Sequence, residues 1–143
     1  MLHQLVFGGA ISLFNIGLHA VLVAWLILIA HRAARAAAAA RPVLRLMTIT
    51  GSAAAVLMAG HMVEIGVWAA FYALAGVAPA GQPFYFAFVN YTTLGYGDVV
   101  PIAEWRVIGP MTAANGVLLF GLSTAVLFEV LRSAGSGAQQ PRP

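Results

Sequence analysis

Three long apolar runs, at about residues 5–29, 46–74 and 107–131, are separated by two connections of different character. Each run exceeds the roughly 20 residues a helix needs to cross a hydrocarbon core about 30 Å thick. The pattern therefore predicts three transmembrane helices. The first run has no basic leader, offering only His3, and is too long for the apolar core of a signal peptide, so it is expected to be retained. The connection between the second and third runs is neither a span nor a simple polar loop. Residues 75–82 form a turn-rich stretch of Gly, Pro and Ala. Pro83 suits the first turn of a helix, where its missing N–H costs nothing, and the following residues to Thr92 are mostly apolar. A helix over 83–92 rises only ~15 Å, half the ~30 Å core. The next five residues, extended, cover ~16 Å. This is a segment that enters a membrane and returns on the same side.

Apolar residues make up 62% of the 143 and charged residues only 8%, against about 25% in a soluble domain. Mean hydropathy is +0.91. Such a chain belongs in a bilayer. The pI near 10.0 raises the question of nucleic acid, but the charges are placed otherwise. Arg32, Arg35, Arg41 and Arg45 sit between the first two runs, and Arg132 and Arg142 follow the third. That is the positive-inside pattern; it predicts a cytoplasmic loop and tail, with the N-terminus and the 75–105 segment outside. No nucleic-acid partner is expected. Cysteine is absent, which excludes disulfides and thiolate chemistry. The abundance of alanine with no lysine points to a bacterial source and hence to the inner (plasma) membrane.

Non-helical backbone at membrane depth is tolerated only where protein buries it or where it lines an aqueous path. Gly95 and Gly97 allow backbone angles that other residues resist, so successive carbonyls of residues 93–97 can turn the same way. A row of carbonyl oxygens replaces the water shell of a dehydrated cation, and four such strands around an axis make a ladder of sites. The Thr93 hydroxyl adds an innermost ligand. The C-terminal carbonyls of the short helix add partial negative charge.

The stretch Thr92-Thr93-Leu94-Gly95-Tyr96-Gly97-Asp98 resembles the signature of the potassium channel family. The likeness extends over roughly residues 82–128, through the aromatic helix (Phe84, Tyr85, Phe86), Pro101 and Trp105-Arg106. It implies an all-α membrane protein assembled as a homotetramer in lipid. An extra N-terminal helix (1–31) and a cytoplasmic basic loop (32–45) precede a pore domain (46–131). Within that domain lie an outer helix (46–74), a pore helix (83–92), a selectivity filter (93–97) and an inner helix (106–131). Residues 132–143 are expected to be a disordered tail. By this likeness K+ is the permeant ion, bound at Thr93, Leu94, Gly95 and Tyr96. No cofactor, enzymatic substrate or catalytic residue is implied. Departures from the family pattern fall at Leu94, where most members have Val or Ile, and at Val89, where some have a glutamate that supports the residue after the filter. Tyr85 and Phe86 replace paired tryptophans. Asp98 then has the Tyr85 hydroxyl as a candidate partner, and Leu94 is expected to point into the filter's support, with Thr92 and Val89 backing it.

Three inner-helix residues are gate candidates, each with two readings. Gly116 is a hinge, since glycine weakens a helix by about 1 kcal/mol relative to alanine, or a close-packing site, as Gly121 is expected to be. Asn115 faces a cavity or makes a buried interhelical hydrogen bond. Glu129 forms part of a cytoplasmic ring that gathers cations or pairs with Arg132 at i+3. The first two spans carry Asn15, His19, His61 and Glu64 at matching depths. A charge at mid-membrane costs ~2.5–3.5 kcal/mol, so these four are expected to form a polar cluster, or else to be satisfied singly. Histidine titrates near neutrality, which makes such a cluster a candidate pH sensor. Two other classes remain as alternatives to a channel: a potassium transporter subunit and a non-conducting accessory membrane protein. Both lack a reason to keep Gly95-Tyr96-Gly97 whole in a single repeat.

Overall fold

The computed structural model describes residues 1–36 and 41–136. The described chain is helical throughout its regular elements: α1 (Leu2–Ala36), α2 (Pro42–Leu74), the short α3 (Pro83–Tyr91) and α4 (Ile108–Ser136), with a 3-10 turn at Ala103–Trp105. Three stretches are long and apolar enough to cross a membrane: Leu2–Ala30, Pro42–Leu74 and Ala103–Ala134. α3 has 9 residues and spans only ~14 Å.

Several boundaries differ from those expected. The basic loop is mostly helix in its described part. α1 continues over Arg32 through an alanine-rich run with the highest helix propensity, and α2 starts at Pro42 in its first turn. α4 begins at Ile108, two residues later than expected, because Ala103–Trp105 forms the 3-10 turn. The tail is not disordered at its start, since α4 runs to Ser136. There Glu129 accepts from Arg132 Nε and Nη2, both at 2.9 Å, and from Ser133 Oγ at 3.2 Å, which pins the last turns. The remainder of the expected tail, 137–143, lies outside the described residues.

Two apolar clusters hold the helices together. One joins Ile65, Trp68 and Tyr72 of α2 to Phe86, Ala87 and Tyr91 of α3, with Ile108 and Leu119 of α4. A second, toward the opposite end, gathers Leu26, Ile49, Ala53, Leu57 and Val130. α1 packs on both α2 and α4. Its first turn is tied to the start of α4: Val107 N–H donates to Gln4 Oε1 at 2.8 Å, and His3 meets the Trp105 ring edge-on at 5.2 Å. The Gln4 amide thereby supplies a partner to a backbone donor that the beginning of a helix cannot satisfy internally. Leu13, Phe14, Val21 and Trp25 lie on the exposed side of α1, as suits lipid contact.

Candidate functional site

The segment after α3 is built by that helix's own last turn. Thr92 caps it, with its N–H on Phe88 O at 3.0 Å and its hydroxyl on the same carbonyl at 2.8 Å. Thr93 N–H then donates to Asn90 O at 2.9 Å, and Leu94 and Gly95 N–H both turn to Val89 O, at 2.9 and 3.4 Å. In a trans peptide the carbonyl lies opposite the N–H, and no cis peptide occurs among the described residues. With three successive N–H groups directed at the end of α3, the carbonyls of Thr92, Thr93 and Leu94 are directed away from it.

Backbone angles alternate along the same segment. Thr93, Gly95 and Gly97 have φ of 60°, 59° and 77°, whereas Leu94 and Tyr96 do not have positive φ. Alternation of left- and right-handed residues brings N–H groups to one side of a chain and carbonyls to the other. The glycines adopt this without penalty. Thr93 is the one non-glycine with positive φ among the described residues, an outlier for a β-branched side chain. Such strain costs of order 1–3 kcal/mol and collects at functional sites. The Thr93 hydroxyl is legible in the sequence as a candidate ligand; its backbone angle is not.

Tyr85 donates its hydroxyl to Asp98 Oδ2 at 2.6 Å, and Asp98 Oδ1 accepts Val99 N–H at 3.1 Å. The hydrogen bond to the Asp98 carboxylate raises the Tyr85 phenol above its ordinary range. Val89 offers a buried side chain and a carbonyl that accepts from Leu94 and Gly95 N–H and from the Thr92 hydroxyl. Leu94 is 51% exposed and Tyr96 67%, so the packing expected behind Leu94 does not come from its own chain.

Behind this segment lies a buried polar network. Glu64, 0% exposed, meets His19 Nδ1 at 2.8 Å and His61 Nδ1 at 2.9 Å, one on each carboxylate oxygen. The Tyr91 hydroxyl donates to the same oxygen as His61, at 2.5 Å. Both imidazole Nε2 atoms face Ser123 Oγ, His61 at 2.9 Å and His19 at 3.4 Å. Asn15 does not reach the carboxylate: its Nδ2 donates to the Glu64 backbone carbonyl at 3.2 Å and to Asn115 Oδ1 at 3.3 Å. Tyr91, Ser123, Trp68 and Asn115 were not foreseen in this network. Thr112, Asn115, Leu119 and Ser123 follow one face of α4 and are all buried, so their helical spacing was the available signal. For Tyr91 it was a phenol that needs a partner when buried.

The gate candidates each have close partners within the chain. Asn115 is buried; its Oδ1 accepts Trp68 Nε1 at 3.0 Å and its Nδ2 reaches Ser12 O at 3.4 Å. A buried amide needs such partners. At Gly116 an added Cβ would overlap the Tyr91 carbonyl, so this glycine is a close contact between α4 and the foot of α3, within an unbroken helix. Gly121, expected to be a packing glycine, has nothing within 4 Å of an added Cβ in the chain. Glu129 is engaged with Arg132.

His19, His61 and Glu64 place their ligand atoms within 4.8 Å of one another. Ligands around a tetrahedral metal would stand about 3.3 Å apart. Here the facing atoms are 2.8–2.9 Å apart, the spacing of shared protons.

A multi-pass helical membrane protein with a half-membrane helix feeding an extended, glycine-spaced return segment is the architecture of a pore-loop protein. Residues 60–133, more than half of the chain, match the family model described as ion channel. The chain belongs to this family of two membrane spans around a pore loop. No curated protein and no solved structure matches it. The matched stretch takes in His61, Glu64, residues 92–98, Gly116 and Ser123, and leaves α1 outside.

Proposed function

We propose that four copies of this chain surround a central axis and conduct K+ passively, with residues 93–97 as the selectivity filter. The observation that carries this reading is the direction of the Thr92, Thr93 and Leu94 carbonyls, away from the helix that backs them, together with alternating φ through Gly97. Carbonyl oxygens held in register by such a backbone replace the hydration shell of a potassium ion. The ion is the cargo, bound at Thr93, Leu94, Gly95 and Tyr96; the reading invokes no cofactor and no chemical substrate. The exposure of Leu94 and Tyr96 supports assembly, because a neighbouring subunit would supply the packing that the single chain lacks. The arginine distribution supports an N-terminus outside and a cytoplasmic C-terminus in a bacterial plasma membrane.

The test is flux in liposomes containing the purified full-length protein. Potassium uptake, block by barium and poor sodium uptake are expected, with a tetrameric mass in detergent. Equal sodium and potassium fluxes would mean that Leu94 has compromised the filter. A monomer that carries neither ion would point instead to an accessory membrane protein.

A further inference from the structure

Glu64, His19, Ser123 and His61 close a ring of hydrogen-bonding contacts inside the helix bundle. Round the ring, Glu64 Oε1 meets His19 Nδ1 at 2.8 Å and His19 Nε2 meets Ser123 Oγ at 3.4 Å. Ser123 Oγ then meets His61 Nε2 at 2.9 Å, and His61 Nδ1 returns to Glu64 Oε2 at 2.9 Å. All four residues are buried. Each link needs one proton. A carboxylate brings none, and two neutral imidazoles and one hydroxyl bring one apiece. One link is then two lone pairs facing each other, and the ring carries a single negative charge. One further proton fills that link and cancels the charge, whichever atom holds it. Hydrogen bonding and charge burial, each costly to leave unmet away from water, are satisfied by the same proton.

We propose that this ring holds one dissociable proton and acts as a proton-operated switch on the conduction path. Its effect on flux rests on the channel reading above; the ring itself does not. From α1 the ring takes His19, from α2 His61 and Glu64, and from α3 Tyr91, whose hydroxyl is 2.5 Å from Glu64 and 3.0 Å from His61 Nδ1. α4 gives Ser123 and the Phe120 ring, 4.6 Å between centroids from His61. The nearest charge on α4, Glu129, is about 9 Å further along that helix. The longest link, His19 to Ser123, joins α1 to α4 and is the one that opens when the proton leaves. Tyr91 carries the change onward, because it stands two residues before Thr93 and its carbonyl abuts Gly116. The native state binds a proton that the open ring lacks, so stability and flux fall together as pH rises.

The experiment uses the full chain in liposomes, with rubidium flux and the thermal stability of the assembled protein followed from about pH 5 to about pH 9, across the histidine range. A single-proton step in both is expected for the wild type. Ser123→Ala keeps every charge but breaks the ring; it should move both midpoints by about one pH unit, a tenfold change in proton affinity. Ser123→Thr should restore them, His61→Gln should flatten them, and His3→Gln, outside the ring, should change nothing. Folded Ser123→Ala and His61→Gln proteins with wild-type profiles would overturn the proposal. So would nitrogen-15 spectra in which the His19 and His61 rings change neither protonation nor tautomer over the range. A stability step displaced by Ser123→Ala in a protein that carries no ion at any pH would uphold the ring and sink the channel reading instead.

Discussion

Gly116 lies against the backbone carbonyl of Tyr91, with no room between them for a side chain. One belongs to α4 and the other to the last turn of α3, so the glycine sets how closely the inner span approaches the foot of the pore loop. Tyr91 cannot yield cheaply, because the two nearest of these contacts are to its main chain.

Gly116→Ala is expected to destabilise the protein by about 1–3 kcal/mol, the usual range for overpacking, and to reduce assembly. Gly121→Ala, facing open space, is expected to be neutral or to stabilise by up to about 1 kcal/mol through helix propensity. Thermal melts of the two variants side by side check this. A hinge at Gly116 would give the contrary result, normal stability with altered opening.

Asn115→Leu removes the acceptor for Trp68 Nε1 and for Asn15 Nδ2. Leaving buried donors unpaired costs about 1–3 kcal/mol each, so a marked drop in melting temperature is expected. The surviving folded fraction should conduct at the wild-type unitary level, since the amide is committed to Trp68, Asn15 and Ser12. A changed single-channel conductance would return Asn115 to the cavity.

Tyr85→Phe tests the tie between the start of α3 and Asp98 at the far end of the proposed filter. Its loss is expected to shorten sustained current rather than to stop assembly, because both partners are exposed. The phenol is raised by the Asp98 carboxylate, which fixes the sign of the pH effect. The donor stays in place below the ordinary tyrosine value of about 10, and the support it gives is lost only as pH climbs through the raised value. Current in the wild type should therefore be steady on this account through neutral pH, with an alkaline decline that Tyr85→Phe lacks.

Gly95→Ala forces a Cβ into φ of 59° and is expected to abolish selective flux, while the helices, whose core it does not touch, still assemble. Normal potassium selectivity in a folded Gly95→Ala protein would remove the filter assignment.

Much of the architecture was legible in the sequence. Run length alone separates three spans from α3, and Pro83 and the paired glycines mark where that helix starts and where extended chain must follow. The helix ends at Ala36, Pro42 and Ser136 were less legible, because alanine propensity and the Glu129–Arg132 pair lengthen helices past the apolar stretch. Matching depths brought His19, His61 and Glu64 to one level, but depth says nothing of rotation about a helix axis. That is why Asn15 turned to Asn115, and why Tyr91 and Ser123, set by the packing of α3 and α4, went unseen. The angle at Thr93 had no signal at all: threonine disfavours it, and only the Asn90 and Val89 carbonyls impose it.

The span outside the family match is fastened to the inner span at three heights: Gln4 to Val107, Asn15 to Asn115 and His19 to Ser123. α4 therefore moves together with α1 for as long as these bonds hold. Any rearrangement that swings the end of α4 has to drag its companion through the surrounding lipid or sever these fastenings in turn, so bilayer thickness and lateral pressure bear on that motion through a helix outside the pore-loop unit.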